Sequence, residues 1–187
     1  MGGFNNVFND RYISMRRIIL IVIIFLFALS ATFLVSGIVK KIQKQNQLAE
    51  RLSKLPSFSF ATLTNESFNS SEIRRGPVLL IRFHPECEHC RYEISGILKS
   101  NIPSSGTSII LVSSADPDSI RKFLNRFNYS DYPSVIPLAD TSYIFGDIFG
   151  SDIVPSNYIY NKELELVKVL HGEVKTETIL KYLREIE

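Results

Sequence analysis

An α/β domain of three layers, carried behind a single N-terminal membrane helix, is the architecture this sequence predicts. Three observations point to it. Residues 18–39 contain no charged side chain. Beyond residue 56, short apolar runs alternate with stretches of helical period. Near the C-terminus, two apolar runs flank Asn161-Lys162-Glu163, the pattern of a hairpin that closes a sheet.

The 187 residues carry 21 basic and 19 acidic side chains, a formal net charge of +2. The excess sits in residues 1–17, a short basic tail where Arg11, Arg16 and Arg17 outnumber Asp10, while residues 40–187 hold 18 of each sign. A neutral remainder has no electrostatic preference for nucleic acid. Residues 18–39 form a run of 22 between Arg16-Arg17 and Lys40-Lys41. At about 1.5 Å per residue such a helix crosses a hydrocarbon core of ~30 Å. A signal peptide is the competing reading, with Val35-Ser36-Gly37 as a small-residue site, but its apolar region usually runs only ~7–15 residues. An uncleaved anchor is therefore expected. Lys and Arg number three before the run and five in residues 40–56, a count that favours a cytoplasmic C-terminal part. Long domains translocate despite such charge, and a short basic tail before the first apolar run marks an export signal. The expected orientation is N-terminus inside, domain outside.

Residues 40–56 read as a polar, helix-permissive linker that Leu55-Pro56 ends, because the residue before a proline avoids helix. Residues 57–187 then form the domain. Residues 57–63 alternate as a strand, and residues 64–66 turn into Ser67-Phe68. PVLLIRF, residues 77–83, is a near-continuous apolar run suited to a strand buried on both faces. Residues 90–100 read as helix, with Ile94, Ile97 and Leu98 on one face, and residues 108–112 as a second buried strand. Asp116-Pro117, a cap and then a proline at the first helical position, opens a helix through Phe127. A short strand at 135–138 and a short helix at 143–149 follow. The hairpin strands are 157–160 and 164–170, and a helix over 176–186 turns Ile179, Leu180 and Leu183 inward. The central strands are expected to run roughly parallel.

The chain has two cysteines, Cys87 and Cys90, placed directly after the apolar strand and at the start of a helix. Exposed N–H groups at a helix N-terminus favour an anion, so Cys87 is the expected nucleophile. Cys90, one turn inward, is placed to resolve a mixed disulfide. A protonated His89 favours the thiolate, whereas Glu86 and Glu88 oppose it. Glu93, one turn after Cys90, is either the group that handles the resolver's proton or a solvated helix carboxylate.

PVLLIRFHPECEHCRYEI resembles the active-site segment of the membrane-anchored TlpA-like thiol–disulfide oxidoreductases, of thioredoxin fold, found in bacteria. Cys87, Cys90, Arg91 and Glu93 match that family's cysteine pair followed by a basic residue, any residue and Glu. Ile153-Val154-Pro155-Ser156 resembles its cis-proline loop, and residues 157–172 its closing hairpin. The resemblance implies a thioredoxin-like α/β/α domain that needs no cofactor. Cys87, Cys90, Glu93 and His89 would do the chemistry, and Val154 and Pro155 would hold the client. It further implies reduction of envelope proteins outside the bacterial cytoplasmic membrane, with electrons from a membrane thiol relay. The chain departs from the family in having no Trp before the motif and in placing Ile81 where thioredoxins proper bury an acid. His89 before the second cysteine is similar to periplasmic oxidants instead.

Other readings are weaker. Peroxiredoxins need a Pro-x-x-x-Thr/Ser-x-x-Cys pattern, and Leu80 stands seven residues before Cys87. A copper or zinc carrier would gather His84, Cys87, His89 and Cys90 around a helix start, an awkward convergence, so no metal is expected. A purely partner-binding domain would keep inert cysteines in apolar surroundings rather than among charges.

Overall fold

The computed structural model describes residues 4–73 and 76–186. The charge-free run lies within one helix, α1 (Phe4–Leu52). Residues 4–17 of the basic tail continue that helix, and residues 1–3 lie outside the described part. Every described side chain between Ile23 and Val39 is exposed. Ser36 Oγ donates to Phe33 O at 2.8 Å, which satisfies the hydroxyl within its own helix. Among the described residues one helix segment, Phe25–Leu52 with mean hydropathy 1.7, is long and apolar enough to cross a membrane. Its length and composition make it a candidate membrane span, and a signal sequence meets the same test.

The chain divides into two compact units after Gln47. Leu48, Leu52 and Leu55, all from the expected linker, pack into an apolar cluster of the second unit. That unit is built on β1 (Ser59–Thr62), β2 (Ser67–Asn69), β3 (Val78–Arg82), β4 (Ser108–Ser113), β5 (Val135–Ala139), β6 (Ser156–Tyr160) and β7 (Leu166–His171). The seven strands form one sheet in the order β2-β1-β5-β4-β3-β6-β7. β3, β4 and β5 are parallel, and β6 returns antiparallel beside β3. All side chains of β3 and β4 are buried, as their unbroken apolar runs require.

Helices α2 (Glu88–Lys99), α3 (Pro117–Leu124) and α5 (Thr176–Arg184) cover one face, packing Ile94, Ile120 and Ile179 onto Leu79, Ile81 and Ile109. The short helix α4 (Phe145–Phe149) and the end of α1 cover the other, against Phe58, Phe60, Leu80 and Tyr158. This is the expected three-layer arrangement.

The first strand is shorter than the expected 57–63, α2 starts two residues before the expected 90 and α5 ends at Arg184 rather than 186; at three further boundaries a local contact explains the shift. The last strand begins at Leu166 rather than residue 164, because Asn161 Oδ1 accepts from Glu163 N and Glu165 N and sets Leu164 at φ 61. The helix expected to reach Phe127 ends at Leu124 and tightens into a 3-10 turn, stopped by Asn128 at φ 49. α4 begins at Phe145, since the Asp140 carboxylate accepts from Ile144 N and Phe145 N and so caps the helix from outside.

Candidate active site at the start of α2

Strand β3 ends where the sheet order places its neighbours β4 and β6 on either side, and the loop that follows opens at the rim of the sheet. Cys87 takes the cap position of α2 with extended backbone, and its Sγ accepts from Cys90 N at 3.2 Å. Cys87 N donates to His84 O at 3.0 Å, which closes the preceding turn. The two thiols are free and differ in access: Cys87 is half-buried, Cys90 fully buried. Burial, and then its hydrogen bond with Cys87, push the Cys90 thiol up to about 12.

Glu93 is no solvated carboxylate: it is 3% exposed. Its Oε1 accepts from Asn157 Nδ2 at 2.9 Å and its Oε2 from Val174 N at 2.6 Å. Burial holds its pKa above the ordinary carboxylate range; the two hydrogen bonds counter part of that shift, and the charge of Glu173 adds to it. The charge of Glu93 adds a small further push to the Cys90 thiol in the same direction. His89 points outward, 72% exposed, with Nδ1 2.5 Å from Glu173 Oε2. The pair joins the start of α2 to the loop before α5.

The Val154–Pro155 peptide bond is cis. Pro155 is buried, and Val154 packs on the same apolar cluster as Cys87 and Cys90. Sequence reasoning gave no sign of how this loop is held. Ser156 Oγ donates to Ile153 O at 2.7 Å and is hydrogen-bonded to His171 Nδ1 at 2.8 Å, while Gly172 N donates to Pro155 O at 2.9 Å. Arg82 Nη2 donates to Asp152 Oδ1 at 3.2 Å, and Arg82 Nη1 lies 3.7 Å from Asp140 Oδ2. The guanidinium also sits 4.8 Å over the Phe145 ring. Gly146 keeps the approach open, since a methyl there would collide with the Asp152 carboxylate. The one signal in the sequence was Arg82 itself, a charge inside an otherwise apolar strand, which demands a buried partner. Asn157 gave none.

Of the metal-carrier ligands, His84 Nδ1 accepts from Glu86 N and His89 is paired with Glu173. Among the described residues no group of three or more His, Cys, Asp or Glu side chains is arranged to hold a metal ion.

Neither a protein-family model nor a curated protein sequence matches the chain. Solved structures do. A secreted Mycobacterium tuberculosis disulfide oxidoreductase homologous to E. coli DsbE superimposes with TM-score 0.60 at 15% identity, over 73% of this chain and 98% of that one. The exposed lipoprotein thioredoxin of Streptococcus pneumoniae gives TM-score 0.52 at 22% identity, covering 69% and 98%. A peroxiredoxin-like protein from Aquifex aeolicus gives 0.60 at 14%, covering 72% and 86%. The fold is thioredoxin-like. At these identities the likeness concerns the fold, and the site must argue for the chemistry.

Proposed function

We propose that this chain is a thiol–disulfide oxidoreductase of the TlpA-like kind, acting as a reductant on proteins of the bacterial cell envelope. The observation that carries the reading is the inequality of the two sulfurs: Cys87 caps a helix at the surface, while Cys90 lies fully buried behind it beside a buried carboxylate. The solved structures described above include disulfide oxidoreductases, which supports the same reading.

In this mechanism the Cys87 thiolate attacks a client disulfide. One client sulfur leaves as a thiolate and takes a proton, and the other remains bonded to Cys87. Cys90 gives its proton to Glu93 and attacks Cys87 Sγ, which releases the second client thiol. The balance is two electrons and two protons passed to the client, and one Cys87–Cys90 disulfide formed. A carboxylate whose pKa is raised by burial is a stronger base than one in water, which suits Glu93 to a thiol as weakly acidic as Cys90. His89 adjusts the charge beside the nucleophile. Val154 and Pro155 offer backbone to an extended client segment, which would add a strand at that edge. A membrane thiol relay returns the enzyme to the dithiol form. α1 anchors the chain in the cytoplasmic membrane with its domain on the outer side.

The test is trapping. Cys90→Ala leaves the mixed disulfide unresolved, so a covalent client adduct on Cys87 should accumulate and disappear under dithiothreitol. Absence of any adduct, together with failure of the wild-type chain to reduce insulin disulfides, would sink the proposal.

A further inference from the structure

A second feature borders the cysteines, on the side away from the Val154–Pro155 loop. A cleft of about 580 Å³ is lined by His84, Pro85 and Glu86 of the β3–α2 loop, Asp116 at the cap of α3, Lys122 and Arg126 beyond it, and Tyr143. The sheet order explains its place. β6, which the Val154–Pro155 loop precedes, lies on one side of β3, and β4 and β5, whose following loops line the cleft, lie on the other. The rim beyond the carboxyl ends of such parallel strands is where α/β folds hold their ligands.

Two observations say what the cleft is for. Outside α1, the exposed large apolar side chains among the described residues are Tyr92, Tyr143 and Ile153. Tyr92 stands two residues after Cys90 on α2, Ile153 immediately precedes Val154-Pro155, and Tyr143 forms a wall of the cleft. Among the described residues outside α1, the large apolar side chains left uncovered thus come from α2, from the segment leading into the Val154–Pro155 loop and from the cleft itself. Tyr143 is 73% exposed and held at φ 56, a backbone conformation that costs energy for an aromatic residue and serves nothing in the core.

The second observation is charge. Lys122 and Arg126, exposed and one turn apart, make no ion pair among the described residues, although Arg121, immediately before Lys122, pairs with Asp118. The two carboxylates of the cleft lie towards its other end. Glu86 adjoins Cys87, and Asp116 accepts from Ser119 N at the start of α3. Six residues of helix separate Asp116 from Lys122, about 9 Å of axial rise. The cleft thus turns from acidic beside the nucleophile to basic at its far end.

We infer that this cleft is a client subsite, selecting an extended polypeptide with carboxylate side chains a few residues from its cysteine and an apolar one against Tyr143. It rests on the exchange reading for the identity of the client, and adds to it a specificity: one flank of the client cysteine follows the Val154–Pro155 edge, and the other crosses Cys87 into a basic cleft.

Binding without chemistry separates the two ideas. Nonapeptides with a central Ser in place of Cys, carrying three Glu or three Lys on one flank or the other, are titrated into the full chain in neutral detergent. One Glu peptide should bind about fivefold more tightly than its Lys counterpart, the effect of one or two exposed ion pairs. The double variant Lys122→Glu, Arg126→Glu should reverse the order, and 1 M salt should erase it. Equal affinities on both flanks, or a Glu preference that survives the double variant, overturns the cleft. The same peptides with Cys restored as a disulfide report on exchange. A Glu preference in binding with no exchange refutes the enzyme reading alone, and leaves the cleft as a peptide site.

Discussion

The two faces of the sheet do different work. On the face covered by α2, α3 and α5 the core is largely aliphatic, and its two titratable groups are Cys90 and Glu93. On the face covered by α4 and the end of α1 it is aromatic: Phe58, Phe60, Phe145, Phe149, Tyr158 and Tyr160 pack together, with ring centroids 4.5 Å apart for Phe145 and Phe149. The charges buried here, Arg82 and Asp140, are bound into that packing. The difference teaches that one face buries a thiol and a carboxylate whose pKa values burial raises, while the other buries its charges as an ion pair stacked on an aromatic ring.

If that division holds, damage to the aromatic face should cost stability and leave the chemistry of the folded molecules intact. Phe149→Ala is expected to lose about 4 kcal/mol, read as a fall in the denaturation midpoint. Arg82→Leu leaves Asp140 buried with only its two amide donors and should lose about 3 kcal/mol, again with exchange preserved in the folded fraction. Exchange that vanishes before the domain unfolds would break the comparison.

The opposite pattern is expected on the aliphatic face. Glu93→Gln should slow resolution of the mixed disulfide about a hundredfold, read by quenched-flow trapping. It should also flatten the pH dependence of stability. Glu93 has a folded pKa above the ordinary carboxylate value of 4.5, so its contribution is complete below that value and is lost as pH rises through the raised one. The Gln variant keeps a neutral side chain and should escape that loss, overtaking wild type on the alkaline side. The smallest effect belongs to His89→Ala. It removes an exposed pair with Glu173 and should cost about 0.5 kcal/mol in a chemical melt. A much larger loss would mean that this pair, rather than the core, holds the loop before α5 against α2.

Nearly every element of the domain was legible because each carries its own local signal: unbroken apolar runs for β3 and β4, a cap and proline for α3, a period for α5. Cys87, Cys90 and the Val154-Pro155 loop were legible for the same reason, as short motifs. The supports around them were not. Arg82 meets Asp152 across 70 residues, Asn157 meets Glu93 across 64, and Val174 meets Glu93 across 81. No window of sequence contains both partners of such a contact. Glu93 shows the limit best, since its position beside Cys90 was plain but its burial depended on Asn157 and Val174 arriving from the far end of the chain.

One detail just past α1 bears on how such domains behave when crowded. Leu55 N donates to Leu164 O and Leu166 N to Ser53 O, with Lys54 bridged to Glu165, so residues 53–55 run beside the start of β7. β7 is the last strand of the sheet, and an open last strand offers its unpaired backbone to any neighbouring chain. Here the first residues of that edge are already taken by the protein's own backbone. Two copies meeting along β7 find no free ladder at that point to zip into, and the chain carries its own guard against edge-to-edge aggregation.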